Sequence, residues 1–176
     1  MPGSTRQDEF ERLAMPHSQS LLRVAYRLTV DTAAAEDLVQ ETLLSAWRGF
    51  HQFRAGSNAR AWLFRILFNA FYAQGRKAKA APQVVPISDA SERGAGYRAQ
   101  AVHLEAAAVA VALDSLAAEH RTVLLLGVVE GFTCQEMAEI LAVPIGTVMS
   151  RLSRARQALR ARLEGGAPKV CVRSAE

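Results

Sequence analysis

Residues 133–163 read TCQEMAEILAVPIGTVMSRLSRARQALRARL, and this stretch decides the fold of the second half of the chain. Thr133 and Glu136 have the T-x-x-E spacing of a capping box, which predicts the start of a helix. Pro144 follows a turn at residues 142–143 and suits the first turn of a second helix, because its φ is fixed. The pattern is that of a helix-turn-helix, whose second helix enters the major groove of DNA.

The second helix of this motif is predicted to have one apolar and one basic face. Its apolar positions form a stripe at helical spacing: Val148, Leu152, Ala155, Leu159 and Leu163. The polar face comprises Thr147, Ser150, Arg154 and Gln157, with Arg151 and Arg156 on opposite shoulders of the stripe. No acidic residue lies between Glu139 and Glu164, so this face suits phosphates and base edges. A solvated amphipathic helix would explain the arginines. It would not explain why a capping box, a turn and a proline occur at the spacing of a helix-turn-helix.

The composition predicts an all-α protein. Half of the 176 residues are hydrophobic, alanine and leucine dominate that half, and β-branched runs are few. The net charge of +4 is modest, but the charge is unevenly distributed. Residues 140–163 are purely basic, whereas residues 31–41 contain acidic residues and no Lys or Arg. Surfaces of opposite sign indicate two different partners.

Several classes of protein are not indicated. Cys134 and Cys171 form no C-x-x-C pair, and the four histidines have no ligand spacing, so we expect no disulfide framework, no metal and no cofactor. The N-terminus resembles no signal peptide, and no apolar run approaches the ~20 residues of a membrane span. We therefore expect a cytoplasmic protein without membrane insertion.

The chain is predicted to form two small helical domains joined by a flexible linker. Residues 78–103 contain prolines and glycines and show no helical period, which is typical of a linker. The first domain is then residues 7–77 and the second is residues 104–164, which contains the helix-turn-helix. Residues 165–176 are expected to be a mobile tail.

Helical periodicity predicts the elements within each domain. The first domain has helices over residues 7–28, with a kink or restart at Pro16, over residues 32–50, and from the Ser57 or Asn58 cap to Lys77. The second domain has helices over residues 104–116 and 119–130 before the helix-turn-helix. The core of this second domain is predicted from their apolar positions: Leu113, Leu116, Val123, Leu124, Leu126 and Val129.

Three segments, in this order, resemble a known family, the extracytoplasmic-function sigma factors of bacterial RNA polymerase. Residues 35–47, AEDLVQETLLSAW, are similar to the polymerase-binding helix of that family. Residues 60–69, RAWLFRILFN, are similar to its promoter-melting helix, and residues 140–156, ILAVPIGTVMSRLSRAR, to its promoter-reading element. The three motifs together are far more specific than any one of them.

The resemblance implies a transcription initiation subunit without catalysis of its own. Its partners would be core RNA polymerase, through the clamp and the flap, promoter DNA and an anti-sigma factor. Asp37, Gln40 and Glu41 on an exposed face would suit a basic protein surface, which the family implies to be the polymerase clamp. An ordinary solvated acidic face is the alternative reading of these three residues.

The resemblance also implies two DNA-binding sites. The first domain would recognise and melt the minus-10 element with residues of the loop at 53–58 and of the helix after it: Phe53, Ser57, Asn58, Arg60, Arg65, Asn69, Arg76 and Lys77. The second would read the minus-35 element from one face of the last helix: Thr147, Ser150, Arg151, Arg154 and Gln157. Trp62 could stack on a base, but its place in an apolar stripe favours the core.

Four positions depart from the usual pattern of the family. Phe68 replaces a common basic residue, Ala73 a common acid and Met149 a frequent lysine. Ala142 stands at a turn position where glycine is usual, and a left-handed backbone there would cost alanine about 1 kcal/mol. None of these departures removes a motif, but each makes the promoter sequence that the chain recognises harder to infer from the family.

Other functions compete with this reading. A sigma-like decoy would bind an anti-sigma factor without reading DNA, but the basic face is retained here. A redox or metal sensor would need a partner for Cys134, and the sequence offers none. A repressor that dimerises on a palindrome would leave the acidic helix and the first domain unexplained.

Overall fold

The computed structural model of the protein describes residues 5–54, 56–80 and 108–165, with the side chains of 77–80 not described. Throughout these parts the regular secondary structure is helical, which confirms the all-α expectation. Most of the predicted linker, residues 81–103, and of the predicted tail, residues 166–176, lies outside the described residues.

The N-terminal group of helices contains four α-helices and two short 3₁₀ turns. The helices are α1 (Arg6–Ala14), α2 (Ser18–Thr29), α3 (Thr32–Gly49) and α4 (Ala59–Ala80), with 3₁₀ turns at Met15–His17 and Phe50–Gln52. Pro16 lies in the first 3₁₀ turn, so the predicted first helix restarts there. The carboxylate of Asp31 caps α3 by accepting from the Ala34 amide over 2.7 Å.

The C-terminal group contains the helix-turn-helix. Its elements are α5 (108–114), α6 (Ala118–Leu124), a π-helical turn (Leu125–Val129), α7 (Cys134–Leu141) and α8 (Ile145–Gly165). The predicted capping box is confirmed at the start of α7, where the Glu136 amide donates to the Thr133 hydroxyl over 3.2 Å. The Thr133 amide donates in return to the Glu136 carboxylate over 2.9 Å.

The turn between α7 and α8 has the strained backbone that the sequence predicts. Ala142 adopts a left-handed conformation with φ of 52° as the C-cap of α7. The Pro144 carbonyl then accepts from the amides of Thr147 and Val148 at 2.9 and 3.2 Å, so Pro144 precedes the first residue of α8 instead of lying inside it. A short turn of this kind makes the two helices cross steeply.

The buried side chains of the two groups form one continuous cluster. In the N-terminal group its largest fully buried members are Leu21, Leu38, Leu63, Phe64, Leu67 and Phe68. In the C-terminal group they are Val123, Leu125, Leu126, Met137 and Ile140. The two groups pack directly on each other, since α7 lies against α4 and α6 contacts α2.

The π turn corrects one detail of the predicted core. The Glu130 amide donates to the Leu125 carbonyl over 3.0 Å, a bond that spans one residue more than in an α-helix. The extra residue changes the direction of the side chains within the turn and directly after it. Val129, predicted to be in the core, is therefore 46% exposed, whereas Glu130 is buried. Leu163, predicted to end the apolar stripe of α8, is also exposed.

Candidate nucleic-acid interface

The polar face of α8 lies largely open to solvent. Ser150, Arg154 and Gln157 are exposed, and Thr147 and Arg151 are half-buried. The Ser150 hydroxyl donates to the Thr147 carbonyl over 3.0 Å, which fixes its rotamer at the start of the helix. These five predicted residues share one face, and the other face is anchored in the core, so α8 can present them together to a groove.

Arg151 differs from its neighbours because it has an acidic partner. Its guanidinium lies 2.8 Å from the carboxylate of Glu119 on α6. An exposed ion pair of this kind contributes at most about 1 kcal/mol, so a phosphate could replace the carboxylate at small cost. Arg154 has no ion pair with a side chain of the described residues.

Packing against α7 holds α8 in position. Met137 and Ile140 of α7 and Val148 and Leu152 of α8 are buried in the cluster between the helices. Ala138 and Leu141 of α7 are partly buried against the same cluster. Met149, which replaces a frequent lysine of the family, is exposed.

A row of aromatic rings supports the loop at residues 53–58. Phe10 makes an edge contact with Trp47 at 5.3 Å, and Phe50 stacks on Phe53 at 6.1 Å. Phe53 then contacts Trp62 of α4 at 4.9 Å between ring centroids. Both Phe53 and Trp62 are half-buried, so Trp62 belongs to this row as well as to the apolar stripe. The row fixes the loop in front of α4.

Two predicted residues of the loop are engaged within the protein. The Ser57 hydroxyl donates to the Arg54 carbonyl over 2.7 Å. Asn58 caps α4, because its side-chain oxygen accepts from the Ala61 amide over 3.0 Å. The amide nitrogen of the same Asn58 donates to Glu136 of α7 over 3.1 Å. Asn58 therefore links the loop to the helix-turn-helix.

Arg60 points into the C-terminal group. Its Nη2 atom lies 2.6 Å from the Oε2 atom of Glu130 and donates to the Glu130 carbonyl oxygen over 2.6 Å. The guanidinium also lies over the Phe132 ring, 4.3 Å from its centroid. Arg23 of α2 reaches the other carboxylate oxygen of Glu130 over 2.8 Å. Sequence reasoning missed Glu130, and no local signal marks it.

The remaining predicted minus-10 residues lie along α4. Arg65, Asn69 and Arg76 are exposed, and helical geometry places them within about 40° of one another around the axis. The side chain of Lys77 lies outside the described residues. Phe68, which replaces a common basic residue of the family, is fully buried and stacks near Phe64. Phe68 is therefore a core residue in this chain.

The predicted polymerase-binding residues lie together on the exposed face of α3. A groove of about 630 Å³ between α3 and α4 is lined by Asp37, Gln40 and Glu41 on one side and by Asn69 on the other. Leu44, which sequence reasoning did not single out, lies in the same groove and is 50% exposed. Polar and apolar side chains are thus presented side by side, as is common at protein interfaces.

Three ionisable groups near the contact between the two helix groups have shifted pKa values. Hydrogen bonds from the Thr133 amide and hydroxyl lower the pKa of Glu136, and the Arg60 charge and the Asn58 amide lower it further. Burial raises the pKa of Tyr72, whose hydroxyl lies 3.0 Å from that of Thr122. Burial and the nearby Arg60 charge lower the pKa of His17.

Two features are absent from residues 5–54, 56–80 and 108–165. None of the helices in these ranges combines the length and the apolar character that a membrane span requires. No cluster of three or more His, Cys, Asp or Glu side chains in the same ranges could hold a metal ion.

Comparison with known proteins identifies the family. Residues 13–81 match the family described as Sigma-70 region 2, and residues 106–159 match the family described as Sigma-70, region 4. The chain is similar to the ECF RNA polymerase sigma factor SigL of Mycobacterium tuberculosis, with 40% identity over 84% of this chain and 85% of that protein.

Two solved structures share the fold over most of the chain. One is the sigma factor RpoE in complex with the anti-sigma factor NepR from Bartonella quintana, with a TM-score of 0.73 and 34% identity over 89% of this chain and 97% of RpoE. The other is CnrH in complex with the cytosolic domain of CnrY, with a TM-score of 0.69 and 29% identity over 93% of each chain. The protein belongs to the family of ECF RNA polymerase sigma factors.

Proposed function

We propose that this sigma factor binds core RNA polymerase through the exposed face of α3 and directs it to promoters that α4 and α8 recognise. The observation that carries the proposal is the separation of two surfaces of opposite charge on one chain. The α3 face presents Asp37 and Glu41, whereas α8 has no acidic residue before Glu164. A protein that only bound DNA would gain nothing from the acidic face, because it would repel phosphate.

The α3 face is suited to a basic surface of another protein. Asp37, Gln40 and Glu41 are exposed on consecutive turns, and the half-exposed Leu44 lies beside them. Carboxylates at the rim would steer a basic partner, and the leucine would be covered on binding. We infer that the partner surface is the polymerase clamp, and that the flap contacts the C-terminal group.

Promoter melting is assigned to the loop at 53–58 and to α4. Taking a base out of the stack costs a few kcal/mol, which a pocket and backbone contacts must offset. Phe53, Ser57 and Asn58 would hold a flipped base of the minus-10 element, with Arg60 and Asn69 beside them. The exposed Arg65 and Arg76, with Lys77, would hold the phosphates.

Recognition of the minus-35 element is assigned to α8. Arginine reads guanine by two parallel hydrogen bonds in the major groove, and Arg151 and Arg154 carry this chemistry on the face that α8 presents. Gln157 can pair in the same way with adenine, whereas Thr147 and Ser150 at the helix start suit phosphate.

We further propose that an anti-sigma factor regulates the protein. RpoE forms a complex with the anti-sigma factor NepR, and CnrH forms one with the cytosolic domain of CnrY. The protein would act in the cytoplasm as a subunit without catalysis of its own. Retention of the basic α8 face supports this reading over a decoy that binds an anti-sigma factor without reading DNA.

Charge reversal on α3 tests the polymerase contact. We expect the double variant Asp37→Lys and Glu41→Lys to weaken binding to core polymerase by about tenfold or more, since two attractive contacts become repulsive. Glu11→Lys is the control, because Glu11 is an exposed carboxylate on α1 and lies outside the α3 face. Affinity is measured with labelled protein and purified core enzyme. Equal loss in the control, or no loss in the double variant, would contradict the assignment.

A further inference from the structure

An open cavity of about 670 Å³ lies between α1 and the segment that follows α3. Charged residues of α1 and aromatic residues of that segment line it: Arg6, Glu9, Arg12, Phe50, His51 and Phe53. A volume of this size is typical of a site for a small ligand. Phe53 also belongs to the proposed minus-10 residues. The cavity is therefore continuous with the proposed minus-10 site, and α1 forms one of its walls.

Aromatic contacts hold α1 in a fixed position beside this cavity. Phe10 of α1 is buried and makes edge contacts with Trp47 at 5.3 Å and with Phe50 at 5.4 Å between ring centroids. The Arg6 guanidinium lies over the Trp47 ring, 5.0 Å from its centroid. A capping box of Thr5 and Asp8 fixes the first turn of α1. The wall that α1 forms is thus built on the same row of rings that supports Phe53.

The lining of the cavity suits a single-stranded nucleic acid. The rings of Phe50 and Phe53 are within 15° of parallel, with their centroids 6.1 Å apart, and both side chains are half-buried. Aromatic side chains of this kind give bases a surface on which to stack. Arg6 and Arg12 bring two positive charges to the same cavity, and these attract the phosphate backbone. Aromatic rings beside guanidinium groups are typical of proteins that bind single strands.

Glu9 does not fit a surface that binds phosphate alone. Its carboxylate is exposed in the same cavity and would repel a phosphate there. A carboxylate can, however, accept a hydrogen bond from the exocyclic amino group of cytosine or adenine. Thymine and guanine carry a carbonyl oxygen at the equivalent position, and a carboxylate would repel that oxygen. Glu9 can therefore distinguish bases that carry this amino group from bases that do not.

We propose that Glu9 is a specificity-determining residue of the minus-10 site, which selects a flipped base with an exocyclic amino group, cytosine or adenine. The inference rests on the proposed function, because it takes Phe53 as a contact of the flipped base. The base lies against the Phe50 and Phe53 rings, and the Glu9 carboxylate accepts from its amino group. Arg6 and Arg12 offset the charge of the neighbouring phosphates.

The test uses the full chain assembled with core polymerase. A library of promoter fragments first gives the minus-10 positions at which the parent holoenzyme requires cytosine or adenine. At each such position of the non-template strand, cytosine is replaced by 2-pyrimidinone or adenine by purine, each of which lacks only the amino group. Fluorescence anisotropy measures binding of both strands to holoenzymes that contain the parent chain, Glu9→Ala or Glu11→Ala. Glu11→Ala is the matched control, because Glu11 is an exposed glutamate of α1 that does not line the cavity.

We expect removal of the amino group at one position to weaken binding to the parent holoenzyme about tenfold, because a hydrogen bond to a charged acceptor is lost. The Glu9→Ala holoenzyme should bind the two strands with affinities within about twofold of each other, since it has no carboxylate to satisfy. The Glu11→Ala holoenzyme should keep the preference of the parent.

Three results would overturn the proposal. The first is a preference for the amino group that persists in Glu9→Ala. The second is a parent holoenzyme that tolerates loss of the amino group at every minus-10 position, and the third is a minus-10 element that requires neither cytosine nor adenine. Failure of the proposed function gives a different result, because the parent holoenzyme would then transcribe no promoter and Phe53→Ala would not weaken binding of the strand.

Discussion

Charged side chains of the proposed sites differ in their partners. Arg154 is exposed on α8, whereas Arg151 is paired with Glu119. Arg60 is held by Glu130. An arginine that already has a carboxylate partner must exchange it before it can bind DNA, so its contribution to promoter affinity is a difference between two interactions. Arg154 is therefore the residue whose contribution should be largest.

Truncation of Arg154 tests the orientation of α8. We expect Arg154→Ala to weaken binding of holoenzyme to a minus-35 element by about 1–3 kcal/mol and to relax specificity at one base pair. Arg156→Ala is the matched control, because Arg156 is exposed and lies about 160° from Arg154 around the axis of α8. Binding is measured by titration of promoter fragments that vary at each minus-35 position.

Two outcomes would contradict the proposed role of Arg154. Intact binding and transcription in Arg154→Ala would mean that this face does not meet the DNA. An equal loss for every promoter sequence would mean that Arg154 contacts only phosphate.

Sequence periodicity could predict the α8 residues because they depend on local geometry. A residue of a helix lies on a face that its spacing determines, so burial of Val148, Leu152 and Ala155 followed from the pattern. The partner of Arg60 could not be predicted in this way. Glu130 lies 70 positions further along the chain, and only the packing of the two groups brings the side chains together.

At the scale of elements, helix termini were predicted well and one helix interior was not. The cap of α7, the cap of α4 at Asn58 and the break at Pro16 all have side-chain or backbone signals within a few residues. The π turn at Leu125–Val129 has no such signal, because its sequence, LLGVV, suits an ordinary helix equally well. Its presence decides that Glu130 turns inward and Val129 outward.

The capping box of α7 gives a pH-dependent contribution to stability. We expect Glu136→Gln to reduce the free energy of unfolding by about 0.5 kcal/mol at neutral pH, because glutamine keeps an acceptor for the Thr133 amide but loses the negative charge at the helix N-terminus. The pKa of Glu136 is lowered in the folded protein, so its stabilisation is present above about pH 4.3, the usual pKa of glutamate. The stabilisation is lost as the pH falls through the lower pKa of the folded state.

Urea unfolding of the parent and of Glu136→Gln at a series of pH values measures this difference. Glu139→Gln, on the same helix, serves as the control and should show no comparable loss at neutral pH. A difference between parent and Glu136→Gln that stays constant below about pH 4.3 would show that the carboxylate does not act as the cap.

At the scale of the whole molecule, the relative arrangement of the two groups is the feature that sequence left open. The motifs predicted two DNA-reading ends, but not whether they are apart or in contact. The structure joins them through Glu130, Phe132 and the hydroxyl pair of Tyr72 and Thr122. Asn58 and Arg60, which the proposed function assigns to DNA, here have partners within the protein.

In this arrangement the proposed polymerase contact and the proposed minus-10 contact differ in their exposure to solvent. The α3 face with Asp37, Gln40 and Glu41 remains exposed while the two groups are packed together. The side chains of Arg60 and Asn58, in contrast, are bound to Glu130 and Glu136.

Reconstitution with purified core RNA polymerase and a library of promoter fragments tests the central claim most directly. We predict a stable complex with core enzyme and transcription from a subset of fragments that share a minus-10 and a minus-35 element. The free protein should leave no footprint on duplex DNA. Failure to bind core polymerase, or a footprint without it, would contradict the assignment of this chain as an initiation subunit.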